Sequence, residues 1–486
     1  MPYVPLPRLS TGISGLDEVL HGGFPAGRTY LIEGDPGTGK TTLGMQFLIA
    51  GVEHGEKGLY ITLAESREEI YQVAASHGID LSQIEVAEVR DTEKTPENQD
   101  YTVFHPAEVE LSDVMEAVIR KIEELSPARV VIDSMSEFRM LAREVVRYRR
   151  QVLSLKEFLT GRNCTTLLLD DRSPSQTEVQ LQTVTHGVIR LESLPREYGI
   201  KRRRLDVIKI RASQFREGYH DYVIDRGGLR VFPRLVSREH REQDQERPLL
   251  PSGIAELDSM FDGGIDRGSA TLVLGPAGCG KSTICAKFAV SAAERGERAA
   301  IFTFDELPRS MFKRCTALGI PLRKHVESGA IYLQQIDPAE LSPGEFIERV
   351  ASGVVENDWS VVVIDSLNGL LNAMAGEHAL TVQLHELLSY LNQMGVASFL
   401  VMAQHGLLGH AMVSPADVSY LADNVMLLRY FEARGEVRQA ISVVKRRGGS
   451  HEKTIREMVM NRNSLRIGEP LSGFRGVLSG TPEILR

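Results

Sequence analysis

The chain has 486 residues, 42% of them hydrophobic and 25% charged, the composition of a folded soluble protein with room for two or three domains, each with its own core. A formal net charge of −9 at pH 7 argues against a dedicated nucleic-acid binder, because phosphate backbones are held chiefly by surplus Lys and Arg. The N-terminus MPYVPLPRLS carries no apolar leader and no run of roughly 18 uncharged apolar residues occurs, so a cytoplasmic location without a membrane span is expected. The four cysteines, Cys164, Cys279, Cys285 and Cys315, have neither disulfide-framework nor zinc-site spacing.

In chain order, the first informative stretch is Leu9-Ser-Thr-Gly-Ile-Ser-Gly-Leu-Asp17, followed by His21-Gly-Gly-Phe24. An apolar run beginning at Thr29 predicts a strand that leads into Gly34-Asp-Pro-Gly-Thr-Gly-Lys-Thr41, and a helix-like pattern starts at Leu43. The loop satisfies G-x-x-x-x-G-K-[ST]. Its glycines let backbone N–H groups curl around phosphate oxygens, the Lys brings positive charge to the outer phosphates, and the last hydroxyl ligates Mg2+. Candidate ATP-binding residues here are Gly34, Gly37, Thr38, Gly39, Lys40, Thr41 and Thr42.

Everything in this opening recurs. Leu250-Pro-Ser-Gly-Ile-Ala-Glu-Leu-Asp258 and Asp262-Gly-Gly-Ile265 precede Gly275-Pro-Ala-Gly-Cys-Gly-Lys-Ser282, which supplies Gly275, Gly278, Cys279, Gly280, Lys281, Ser282 and Thr283 as a second ATP-binding set. The chain therefore reads as a duplicated domain, with copies over 1–236 and 249–486 and a polar, charged linker over 237–248. In the first copy strands are expected at Gly58–Thr62, Arg129–Ile132 and Thr165–Leu169; in the second, at Ala299–Phe304, Val361–Ile364 and Ser398–Met402. Helical patterns such as Leu111–Leu125 and Leu380–Leu391 lie between them, so each copy should be an α/β domain with a mostly parallel twisted sheet flanked by helices. Cys279 sits inside the second loop, where a helix N-terminus would favour a thiolate; an inert small residue is the other reading.

Hydrolysis also needs a carboxylate near the metal and a group that orients water. Asp133 and Asp365 each end an apolar strand and precede a Ser, and charge at the carboxyl end of a buried strand faces the ligand crevice, so with Thr41 and Ser282 they form the candidate Mg2+ set. The candidate catalytic acids close the expected strand that follows each phosphate-loop helix: Glu65, beside Ala64, in the first copy, and the pair Asp305 and Glu306 in the second. Near each domain's end stand Val207-Ile-Lys209-Ile-Arg211 and Val443-Val-Lys445-Arg-Arg447, whose Lys and Arg project from one strand face. They read as arginine-finger-type groups for a neighbouring subunit's nucleotide, or as solvated charges of an edge strand. Basic clusters at Arg143–Arg150 and Lys201–Arg204 lack interleaved aromatics and read as solvated or subunit-facing.

These ordered motifs, together with the segments Ser450–Glu457 and Val477–Pro482, resemble the KaiC group of the RecA-like ATPases over nearly the whole chain. The resemblance implies a double-ring homohexamer with ATP at each subunit interface, a slow ATPase in the first domain, and ATPase with autokinase and autophosphatase activity in the second. It further implies that Asp305 or Glu306 also concerns Mg2+, that Lys209, Arg211, Lys445 and Arg447 act in trans, and that Ser76, Ser213, His451 and Lys453 contact nucleotide. Several departures stand out. Ala64 replaces the first acid of a Glu pair. Asp305 is one methylene shorter than Glu, and Ser419, the candidate phosphoacceptor, is followed by Tyr420, with Ser414 nearby. The chain stops at Arg486 without the tail that engages KaiA, and Thr95–Val109, where KaiB-type contacts fall, bears little likeness. A KaiA-type partner and a full oscillator are not expected; a KaiB-like or signalling partner stays open. Two other readings remain: a nucleotide-gated scaffold with little turnover, and a RecA- or RadA-like DNA-handling motor.

Overall fold

The computed structural model describes residues 6–89, 106–142, 145–172, 178–195, 199–239, 248–337, 339–373, 380–404, 420–478 and 483–484. In the first copy the apolar runs form strands β1 (Thr29–Gly34), β2 (Gly58–Thr62), β3 (Glu85–Glu88), β4 (Arg129–Asp133), β5 (Thr165–Asp171), β6 (Gly187–Leu194), β7 (Arg202–Ile210), β8 (Tyr219–Asp225) and β9 (Gly228–Phe232). They lie side by side in the order β3-β2-β4-β5-β1-β6-β7-β8-β9. From β3 to β6 every neighbour is parallel, and β6 to β9 continue the sheet as antiparallel strands.

Side chains alternate between two cores. Tyr30 and Ile32 of β1 and Val131 of β4 pack on one face with Leu43, Phe47 and Ile70, whereas Leu31, Val130 and Ile132 pack on the other with Val118 and Leu155. That double burial is why the central strands read as continuous apolar runs rather than alternating ones. Helices α1 (Lys40–Glu53) and α2 (Arg67–Ser76) supply the first layer, and the helix Pro106–Leu125 contributes to the second. The last of these begins before the apolar pattern that predicts it at Leu111. Ser66 starts α2 with a capping box to Glu69. A short helix α3 (Glu178–Val184) precedes β6.

The second copy repeats the plan with β10 (Ala270–Gly275), β11 (Arg298–Thr303), β12 (Ile331–Gln335), β13 (Trp359–Asp365), β14 (Ala397–Ala403), β15 (Asn424–Ala433), β16 (Glu436–Arg446), β17 (Arg456–Asn461) and β18 (Ser464–Pro470). Their order is β12-β11-β13-β14-β10-β15-β16-β17-β18, the first sheet's order strand for strand. Helices α4 (Lys281–Glu294), α5 (Pro308–Ala317) and α6 (Leu380–Gln393) pack against it. These are two RecA-like α/β domains, the fold class expected from the sequence. The repeated opening motif builds the same turn twice: Asp17 accepts the Thr11 N–H at 2.8 Å, and Asp258 accepts the Ser252 N–H at 2.6 Å.

By contact density the chain divides into Met1–Arg234 and Leu235–Arg486. Leu235 packs on the second core, and the Ser237 N–H and hydroxyl both donate to Glu386 of α6 at 3.0 Å. Residues 240–247 of the expected linker lie outside the described residues. Among the described residues no helix is long and apolar enough to cross a membrane.

Candidate functional site

Each phosphate loop lies where a parallel strand near the middle of its sheet hands over to a helix: β1 to α1, and β10 to α4. Gly39 and Gly280 occupy the turn immediately before each helix with φ of 94° and 99°, left-handed values that favour glycine. A Cβ on Gly39 would also come within 2.7 Å of Ile224. Neither helix start carries a side-chain cap, so its first N–H groups are left for an anion, and the aligned peptide dipoles favour negative charge there.

The loop lysines are buried and curl back on their own loops. Lys40 Nζ donates to the carbonyls of Gly34 and Asp35 at 2.8 and 3.1 Å, and Lys281 Nζ to those of Gly275 and Pro276 at 2.9 and 2.7 Å. Lys40 also forms an ion pair with Asp171 at 2.8 Å. Asp171 is not among the sequence candidates. Its signal was present nonetheless, in two acids directly following the apolar run Thr165–Leu169, the same grammar that marks Asp133.

Thr41 donates to Asp133 at 2.8 Å, and the Tyr60 hydroxyl donates to the same oxygen at 2.5 Å. Burial and the Asp133 charge push the Tyr60 hydroxyl well above its ordinary value, so it stays a donor. Asp365 is 8% exposed, and its Oδ2 is buried with no hydrogen-bond partner among the described residues. Burial raises its carboxyl, while a hydrogen bond from Ser282 and the charges of Arg314 and Lys281 act the other way. The peptide bonds after both aspartates are cis. A hydroxyl beside a carboxylate, with an orphaned carboxylate oxygen in the second copy, is a hard-oxygen donor set that fits Mg2+.

The candidate catalytic acids differ between the copies. Glu65 has its carboxyl raised by partial burial and by the charges of Asp133 and Glu69. In the second copy Asp305 accepts from Ser366, the residue after Asp365, and Glu306 forms an ion pair with Arg314 at 2.6 Å. With Ala64 in place of an acid, the corresponding Ser134 pairs with Ser136 instead.

A cavity of about 350 Å³ opens at the first loop, lined by Gly37, Gly39, Lys40, Thr41, Thr42, His77, Arg203 and Ile224. The second, of about 290 Å³, is lined by Gly278, Gly280, Lys281, Ser282, Thr283, Arg314, Ala317, Leu318 and Met460. Sequence reasoning missed His77, Arg203, Ile224, Arg314, Ala317, Leu318 and Met460, since α2, α5, β7, β8 and β17, which carry or border them, lie outside the loop motifs in sequence. Of the Lys201–Arg204 cluster, read as solvated or subunit-facing, the solvated reading does not hold throughout: Arg202 is buried, Arg203 lines the cavity, and Arg204 pairs with Glu192 at 2.8 Å. Of the other cluster, residues 143 and 144 lie outside the described residues.

Lys209, Arg211, Lys445 and Arg447 are not among the residues lining the cavity of their own unit. A bulge interrupts the pairing just before Lys209 and again before Lys445. Beyond it Lys209 donates to the carbonyls of Gln182 and Thr185, Arg211 to that of Thr183, Lys445 to that of Ala422 and Arg447 to that of Tyr420. β7 and β16 are interior strands, but their outer neighbours pair only with residues 204–206 and 439–441, so Lys209 and Lys445 lie beyond that pairing, at a local strand edge that fits solvated charges as well as groups for a neighbouring subunit. Ser76 bonds back to the Val73 carbonyl, and Ser213 accepts from Arg8 at 2.7 Å. His451 and Lys453 stand between β16 and β17, outside the second cavity's lining. Ser419 and Ser414 lie outside the described residues. At Cys279 burial outweighs the neighbouring Lys281 and pushes the thiol up, which corrects the expectation that the helix N-terminus favours a thiolate there.

Comparison with known proteins agrees with this geometry. The profile of the KaiC ATPase family matches residues 9–236 and 250–472. The chain is 30% identical over 484 residues to the circadian clock oscillator protein KaiC of Picosynechococcus sp., covering 98% of this chain and 92% of that protein. The proteins of the same name from Acaryochloris marina and Prochlorococcus marinus are each 28% identical, covering 99% of this chain and 92% and 96% of their own lengths. With two RecA-like domains, each carrying a complete phosphate loop opposite a strand-end aspartate, this chain belongs to the KaiC family of ATPases.

Proposed function

We propose that the protein binds ATP with Mg2+ at both phosphate loops and hydrolyses it as a double-ring homohexamer, and that its second domain also transfers phosphate to its own Ser419. The domains would be 1–236 and 249–486, joined by 237–248. The observation that carries the reading is the pairing, in each domain, of a loop lysine and a loop hydroxyl with a strand-end aspartate: Lys40, Thr41 and Asp133, and Lys281, Ser282 and Asp365.

Bound there, Mg2+ would neutralise charge shared by the β- and γ-phosphates. Thr41 with Asp133, and Ser282 with Asp365, would hold it, while the lysines and uncapped helix starts would hold the phosphate oxygens. Glu65 in the first site and Glu306 with Asp305 in the second orient the attacking oxygen and accept its proton. Water attack breaks the bond between the γ-phosphorus and its bridging oxygen, releasing phosphate and ADP; attack by the Ser419 hydroxyl leaves the phosphoryl group on the protein. The raised Glu65 carboxyl suits proton acceptance better than an ordinary, more acidic one. Lys209, Arg211, Lys445 and Arg447, standing outside their own cavities, are assigned to the nucleotide of an adjacent subunit, as would be Ser213, His451 and Lys453.

Incubation with Mg2+ and ATP, followed by free-phosphate release, intact mass and particle mass, tests the reading. Wild-type protein should release phosphate, gain a phosphoryl group at Ser419 and form ATP-dependent hexamers. The Lys40→Ala/Lys281→Ala variant should lose roughly 100-fold or more of its turnover. Release undiminished in that variant excludes the two loops as the sites of hydrolysis.

A further inference from the structure

The two loop lysines share a sequence motif but not an electrostatic partner. In the first sheet β5 lies beside β1 in parallel register, with Asp171 opposite Gly34 at the base of the loop. A lysine ammonium has three donors. Lys40 spends them on the Gly34 carbonyl, the Asp35 carbonyl and Asp171 Oδ1 at 2.8, 3.1 and 2.8 Å. In the second sheet the same register sets Ala403 opposite Gly275. Among the described residues Lys281 therefore meets its two loop carbonyls and, at 3.9 Å, the weakly accepting Cys279 sulfur.

We propose that Asp171 sets the nucleotide affinity of the first site by competing with the incoming phosphate for Lys40. This rests on the reading of Lys40 as a nucleotide ligand and adds the residue that opposes it. A phosphate reaching Lys281 gains a donor that no carboxylate among the described residues holds, whereas one reaching Lys40 must break an ion pair. The displaced carboxylate then stays near the bound phosphates, where like charges repel. Asp171 is the acid that can yield, since its side chain is 45% exposed and that of Lys40 only 9%. Asp170, its neighbour, is held by both terminal nitrogens of Arg139, at 3.2 and 3.1 Å. The first site therefore binds ATP more weakly than its intact loop motif implies.

The test uses the full chain with Lys281→Ala, so that only the first site takes up nucleotide, and titrates Mg2+ and ATP by calorimetry. Adding Asp171→Asn should tighten ATP binding about five- to tenfold at about 50 mM salt. The gap should narrow at about 500 mM salt, because a half-exposed ion pair is screened. Asp171→Glu, which keeps the charge, should stay within about threefold of the parent. An Asn variant that binds no tighter than its parent, or an advantage indifferent to salt, overturns the proposal. If neither the Lys281→Ala parent nor its Asn variant binds ATP while the wild type does, the assignment of Lys40 as a nucleotide ligand has failed as well, a result distinguishable from normal parental binding without an Asn effect.

Discussion

Asp365 and Asp133 occupy equivalent strand ends yet stand in different surroundings. Two hydroxyls donate to Asp133, whereas Asp365 is buried with one oxygen unpartnered among the described residues. Because burial raises the Asp365 carboxyl above its ordinary value, its charged form costs stability, a cost that builds as pH rises past the unfolded value and is fully present above the folded one. Asp365→Asn should therefore stabilise the nucleotide-free second domain by about 1 kcal/mol at neutral pH, read by denaturant unfolding. The same change, made in a Lys40→Ala background, should abolish Mg2+-dependent phosphate release. A variant that is both less stable and fully active would remove Asp365 from the site.

At the scale of elements, α2 and α5 are counterparts placed against the phosphate loops of their units, and they differ at the seventh residue. Val73 packs on the first core, while Arg314 reaches Glu306 at 2.6 Å. Both Nε and Nη2 of Arg314 are buried without a partner among the described residues, so the arginine holds this position through one ion pair. Losing it would free Glu306 to sample other rotamers, which harms orientation of the attacking oxygen more than it harms binding. In a Lys40→Ala background, Arg314→Val should lower kcat about tenfold and move KM by less than about threefold. A larger change in KM than in kcat would make Arg314 a binding group instead.

At the scale of the whole molecule, two sheets of one strand order carry different titrating cores. In the first unit His186 accepts the Thr29 N–H, and the fully buried His220 accepts the Arg234 N–H while donating to the Arg216 carbonyl. Burial pushes both imidazoles down to about 4. The unfolded chain takes up these protons near the ordinary histidine value of about 6.5, and the folded unit resists until about 4, so its stability falls as pH drops through that window. Trp359 is the chain's single tryptophan and lies in the second unit, so its fluorescence follows that unit while far-UV circular dichroism follows both. Between pH 7.5 and pH 5 the dichroism midpoint in urea should fall ahead of the fluorescence midpoint. Coincident midpoints at every pH would show that these histidines do not govern the first unit's stability.

The amino-acid sequence by itself determined the duplication, the α/β class, both phosphate loops and the strand-end aspartates, because each is a local pattern whose meaning survives without knowledge of its neighbours. Gly39 and Lys40 are legible from eight consecutive residues, and Asp133 from the apolar run before it. Tertiary structure decided what stands beside them. Sheet order and register, which no local pattern encodes, set Asp171 against Lys40 and Ala403 against the second loop. Helix and strand packing brought Arg203 and Met460, remote in sequence, to the cavities, and turned Lys209 and Arg211 toward the carbonyls at the end of α3. Two loops that one motif describes equally thus differ in the charge that surrounds them, since electrostatic partnership depends on distances that only the folded sheets create.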